Sequence, residues 1–153
     1  MLHVRTDTGY EPWNIGAAQF YNETDDRTYC VGVICKLGEA EFNAIALLDT
    51  GSQWSVISSE IAESVAQVIS ESLGPITMHT SRGDYDGTLH RLQITLLADT
   101  GLGNDLSIDG TVAILHGWPG PIVLGYHGFL ERVRFAIDPG NTPGAQFVYF
   151  GST

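Results

Sequence analysis

Three aspartates of this chain stand in the same tripeptide: Asp7-Thr8-Gly9, Asp49-Thr50-Gly51 and Asp99-Thr100-Gly101. A carboxylate beside a hydroxyl and a glycine suits acid–base chemistry when a rigid scaffold aims it. The glycine lets the backbone turn sharply, and the hydroxyl can brace the loop. The chemistry takes two carboxylates sharing one proton. One draws a proton from water while the other donates one to the group under attack, and their mutual repulsion drives their pKa values apart. Each candidate therefore needs both a scaffold and a partner.

The flanks separate the three. Asp7 follows "LHVRT" and precedes "YEP" in a polar stretch, which reads as a simple turn. Asp99 follows the apolar "ITLLA" but runs into "LGND" and another strand, the layout of an exposed hairpin loop. Asp49 has core on both sides, with "AIALL" leading in and "SQWSVIS" leading out.

The elements that must hold Asp49 are mostly strands. "YCVGVICKL" and "EFNAIALL", separated by "GEA", predict a hairpin that feeds into the aspartate, and "WSVIS" continues as a strand. In "SSEIAESVAQVISES" the apolar residues Ile61, Val65, Val68 and Ile69 share one helical face. Ser58 or Ser59 is a natural N-cap, Glu60 favours the positive end of the dipole, and Gly74-Pro75 stops the helix. Short strands follow in "ITMHT", "TLHRLQITLLA", "LSIDGTVAIL", "RVRFAI" and "QFVYF", joined by segments rich in turn formers. In "RVRFAI", Val133, Phe135 and Ile137 alternate with Arg132, Arg134 and Ala136, predicting one buried face. Residues 1–28 are polar and read as an irregular, loosely packed lead-in, and residues 29–153 as one domain without repeats or a linker.

Composition agrees with a β-rich globular chain: 153 residues, 43% hydrophobic, 16% charged, and eighteen glycines for tight turns. A net charge of −11 with seven scattered basic residues argues against nucleic acid and anionic membranes as partners. The opening "MLHVRTDTGYEPW" lacks the apolar core of a secretory signal, and no run is long enough to span a membrane. Cys30 and Cys35 lie five apart in an expected strand, hence on opposite faces, so reduced thiols in a cytoplasmic protein are expected. The five histidines show no metal-binding spacing and no phosphate-cradling loop is present, so neither a metal nor a cofactor is expected.

"LLDTGSQWSVIS" resembles the active-site loop of the retropepsin-like aspartic proteases, in which two hydrophobic residues precede Asp-Thr-Gly-Ser/Ala and a Ser/Val/Ile stretch follows. A second feature of that family, a hydrophobic-hydrophobic-Gly segment late in the chain, is matched by Ile122-Val123-Leu124-Gly125. "FVYFG" resembles the C-terminal strand these proteins use in dimerisation. The resemblance covers roughly residues 29–151 in the family's order. It implies an all-β fold with one or two short helices, a single-lobe closed β-barrel, and a short helix after Gly125.

The resemblance also implies an aspartic endopeptidase acting on a peptide or protein substrate. One lobe holds one such aspartate, so the dyad would be Asp49 from each subunit of a homodimer. Thr50 would hydrogen-bond across the two-fold axis, Gly51 would permit the turn and Ser52 would support the carboxylate, although ordinary turn chemistry also accounts for Thr50 and Ser52. The family's flap would be residues 79–90, with Gly83 and Gly87 as hinges and Tyr85 near the tip; a plain polar hairpin reads the same way. Trp54 and Trp118 are open to pocket-lining or packing roles. The chain departs from the family after Gly125, where Tyr126-His127-Gly128 replaces an Arg-Asp or Arg-Asn pair that helps tie the dimer. The alternative is therefore a catalytically weak or inactive dimerisation or peptide-binding module.

Overall fold

The computed structural model describes residues 1–21, 30–40, 43–142 and 144–153. Among them the chain is mostly β, with one short α-helix and one 3₁₀ turn. The expected hairpin forms: β4 (Gly32–Leu37) pairs antiparallel with β5 (Ala44–Leu48), which ends one residue before Asp49. Part of its lead-in, "NETDD" and Tyr29, lies outside the described residues.

The apolar runs close on themselves. β6 (Ser55–Ser58) pairs in parallel with β9 (Leu106–Leu115), and β9 runs antiparallel to the long β8 (Gly83–Leu96). The far end of β8 returns to pair with β4 through Cys35↔Leu96 and Leu37↔Ile94. With β10 (Ile122–Leu124) seated between β5 and β6, the order β4-β5-β10-β6-β9-β8 and back to β4 is a closed barrel. Its interior holds Cys35, Leu37, Ile57, Leu92, Ile94, Val112 and Leu124, each about fully buried. Cys35 and Cys30 are both free, and burial pushes the Cys35 thiol up to about 12.

Several expectations change in the structure. The described part of the lead-in, residues 1–21, is not irregular: β1 (His3–Thr6) and β2 (Gly9–Pro12) form a hairpin, and β3 (Gly16–Gln19) joins a second sheet. That sheet has the order β11-β12-β3, with β11 at Val133–Asp138 and β12 at Phe147–Ser152. β3 is a strand because it has neighbours on both sides: β12 on one, and the 99–104 turn on the other through Ala17 N to Leu102 O and Asn104 N to Ile15 O. The C-terminal strand is therefore central, and both its edges are occupied within its own chain. In β11 the predicted alternation holds at Val133 and fades outward, with Ile137 exposed.

The helix is shorter than its periodicity suggests. α1 spans Ser59–Ser64, capped by the Ser58 hydroxyl accepting from Ile61 N. It ends early because the chain turns back onto β8: Ser70 N reaches Arg91 O at 3.0 Å and Leu73 N reaches Leu89 O at 2.8 Å. Val65 is buried as its period requires, whereas Val68 is exposed. Gly74 and Pro75 open β7 (Gly74–Thr80) rather than stop a helix.

Candidate active site

The site is built on the threefold relation of β5, β10 and β6. The two strands flanking the Asp49 loop do not pair with each other, because β10 lies between them, parallel to β5 and antiparallel to β6. The loop must therefore pass over the end of β10, where Gly125 stands. Asp49 N donates to Leu124 O at 3.1 Å, and Tyr126 N and His127 N donate to Ser52 O and Gln53 O at 2.9 and 2.8 Å. The late hydrophobic-Gly motif thus stitches the loop on both sides.

Gly125 has no room to be anything else. A Cβ there would lie 2.3 Å from the carbonyl carbon and oxygen of Trp54 and 2.8 Å from Ser55 N. Its N–H is satisfied by the hydroxyl of Ser55, fully buried, at 3.1 Å. Ser55 was visible in the sequence only as one residue of a strand; its partner is 70 positions away. Ser55→Ala should cost about 1–3 kcal/mol, since it leaves a buried N–H without a partner. A urea titration that matches wild type would show that the N–H finds another acceptor.

Asp49 itself is exposed at the barrel's rim, its Oδ1 accepting from Gly51 N at 2.9 Å. Thr50 is exposed, and its hydroxyl has no partner among the described residues. Ser52 does not brace the carboxylate. Its hydroxyl donates to Trp54 O at 2.8 Å, so the support on Asp49 comes from the Gly51 backbone.

Beside the loop is a cavity of ≈ 290 Å³. One part of its wall is Asp49, Gly51 and Ser52, another is the apolar trio Leu47, Val56 and Val123, and a third is the β7–β8 hairpin through residues 78–82. Trp118 completes it, with its indole N–H donating to Pro121 O at 2.9 Å. The ladder with β9 begins at Gly87, so residues 77–86 of the hairpin pair chiefly with each other and stand over the loop. Gly83, at φ +123°, makes the turn with open space around it. Gly87 belongs to two ladders, and a Cβ there would lie 2.0 Å from Ile114 O; that close approach accounts for its glycine. Tyr85 is set back from the tip and packs edge-on against Trp118, ring centres 5.2 Å apart.

The other two lookalikes do structural work. Asp7 lies in the β1–β2 turn. The Asp99 carboxylate accepts from Gln19 N at 2.7 Å while its own N–H donates to Ala17 O, which fastens β3 to the 99–104 turn. Among the described residues the cavity wall carries one carboxylate, that of Asp49. No group of three or more His, Cys, Asp or Glu side chains among them could hold a metal ion, and no helix is long and apolar enough to cross a membrane.

After Gly125, where a short helix was expected, there is a single 3₁₀ turn at Leu130–Arg132. His127 lies between the rings of Trp54 and Tyr126, both centres at 5.4 Å, so Trp54 packs here rather than in the cavity wall. Glu131 closes the turn by accepting from Gly128 N at 2.6 Å. That bond first, and then His127 and Arg132, hold its carboxyl below the usual carboxylate range.

No family model and no curated protein sequence matches the chain. Among solved structures it is similar to EIAV protease complexed with the inhibitor HBY-793, at 16% identity and a TM-score of 0.42, over 67% of this chain and 88% of that one.

Proposed function

We propose that this chain is an aspartic endopeptidase whose dyad is Asp49 from each of two copies. The observation that carries the reading is the rim of the barrel at 49–51. One carboxylate stands on a rigid, doubly stitched loop beside an apolar-floored cavity, and it is the sole acid in the described wall. A second copy meeting this exposed loop across a two-fold axis would bring in the missing carboxylate, and would give the Thr50 hydroxyl a partner.

In that arrangement one Asp49 takes a proton from water as the oxygen attacks the scissile carbonyl carbon. The partner's Asp49, protonated, gives its proton to the carbonyl oxygen. Collapse of the tetrahedral adduct breaks the C–N bond: the leaving nitrogen takes the proton drawn from water, and one adduct hydroxyl returns a proton to the partner's Asp49, so the products are a carboxylic acid and an amine and the dyad regains its single proton. The hairpin covers an extended peptide and limits the entry of bulk water. Because the dyad works with one proton between two carboxylates, cleavage should be favoured in acid.

A second reading, a peptide-binding or dimerisation module without turnover, draws support from two features. Ser52 does not support the carboxylate, and Tyr126-His127 replaces the dimer-tying pair. In addition, β12 has neighbours on both edges, so subunits would have to meet through the loop or the edge of β11 that has no strand beside it among the described residues.

The test is peptide cleavage at acid pH measured alongside sedimentation across protein concentration. A shared site gives activity per chain that rises with concentration, in step with dimer, and is blocked by a pepstatin-like inhibitor. Cleavage by a persistent monomer would overturn the shared dyad, and dimer or peptide binding without cleavage would favour the module.

A further inference from the structure

We propose that Arg82 makes this site selective for peptides that carry an aspartate or glutamate where the substrate passes beneath the hairpin tip; the inference rests on reading the site as a peptidase. Arg82 occupies the turn between β7 and β8 and lines the cavity together with Asp49. Its backbone is fixed from both sides. The N–H donates to the Thr80 hydroxyl at 3.1 Å, and the carbonyl accepts from the Tyr85 hydroxyl at 3.5 Å, with Tyr85 itself packed on Trp118.

The guanidinium has no partner among the described residues, although the chain holds 18 acidic residues to seven basic ones. Two carboxylates stand close by on the same hairpin, and both are engaged across the ladder. Asp84 is bonded to His79 Nδ1 at 2.8 Å, and Asp86 accepts from the Thr77 hydroxyl at 2.6 Å. Arg91 pairs with Asp109 and Arg132 donates to the Asp109 carbonyl, while Arg5 and Arg134, which like Arg82 have no side-chain partner among the described residues, lie outside the cavity wall. A cation left unpaired at the mouth of a cavity, in a protein of net charge −11, is set against the overall field and acts locally. Its planar fork fits a carboxylate through two parallel hydrogen bonds, which a lysine or a glutamine cannot reproduce. For a partly solvated pair the preference of glutamate over glutamine should be about fivefold to tenfold in kcat/KM.

The test uses a decapeptide library in which each position in turn carries either Glu or Gln, cleaved at a pH where free glutamate is ionised and read by mass spectrometry. Wild type should favour Glu at one position, and Arg82→Gln should equalise the two members there. Arg82→Lys should retain part of the preference, and Arg134→Gln, on the second sheet, should behave as wild type. Equal cleavage of both members by wild type, or a preference that survives Arg82→Gln, overturns the inference and leaves the peptidase reading standing. If wild type cleaves nothing, capture of the same library by the immobilised protein decides. Glu-enriched capture that Arg82→Gln abolishes supports the acidic subsite and defeats the peptidase reading, and unbiased capture overturns both.

Discussion

Asp49→Asn should lower kcat/KM for peptide cleavage by at least about 10³-fold, the scale of a lost acid–base group. The substitution preserves shape, and the amide oxygen can still accept from Gly51 N, the one hydrogen bond the carboxylate makes among the described residues. Stability should therefore hold while chemistry fails, which separates a catalytic loss from a folding loss. In a shared site the variant also poisons its partner: adding excess Asp49→Asn protein to wild type should suppress cleavage, because mixed dimers hold one ionisable aspartate. Asp7→Asn and Asp99→Asn carry the same charge change at sites remote from the cavity wall, and should cleave at close to the wild-type rate. Asp99→Ala loses the acceptor for Gln19 N and should cost about 1 kcal/mol of stability without touching the chemistry. A loss from Asp99→Asn equal to that from Asp49→Asn would overturn the assignment.

Gly125→Ala should damage the Asp49 loop out of proportion to the single methyl it adds. The added methyl meets backbone atoms of Trp54 and Ser55, and backbone cannot rotate aside as a side-chain end can. Either β10 withdraws from the loop or the loop lifts from β10. Withdrawal breaks the Gly125 N–H bond to Ser55 and loosens the neighbouring Asp49 N to Leu124 O bond. Overpacking of this kind costs about 1–3 kcal/mol. Activity should fall further than the unfolded fraction explains, since the displaced element is the one that aims the carboxylate. Gly83→Ala is the useful contrast: its penalty is the backbone conformation at φ +123°, with nothing for the methyl to strike. Urea unfolding and cleavage, measured on both variants under conditions where each is folded, check the argument. A Gly125→Ala protein as stable and active as wild type would show that the loop tolerates separation from β10.

What could be read from the sequence was local. The β4–β5 hairpin, the strand before Asp49 and the turns between strands follow from short-range patterning, and each formed where turn residues and apolar runs placed it. The Ser58 cap was legible for the same reason. What escaped was set by distant neighbours. "GAAQ" at 16–19 has none of the β-branched residues that mark strands, and becomes β3 because β12 and the Asp99 turn flank it. Val68 fits the helical period, yet α1 has ended before it, because residues 70–73 are drawn onto β8. The hydroxyl of Ser52 could not be assigned from spacing, since its direction depends on how the loop crosses β10. Arg82 was unmarked for a related reason. An arginine at a hairpin turn gains meaning only when the carboxylates beside it are seen to be occupied.

The strand inserted between β5 and β6 also sets a clock on synthesis. A ribosome makes Asp49 first, and Leu124, which with Gly125 holds the loop, follows only 75 residues later (124 − 49). Until then the loop has no strand to lie across, and long-range parallel pairing is among the slower steps of folding. A nascent or prematurely released chain therefore carries the motif without a positioned carboxylate. An active centre, if it needs two copies as proposed, arises only once β10 has been made and seated in both of them.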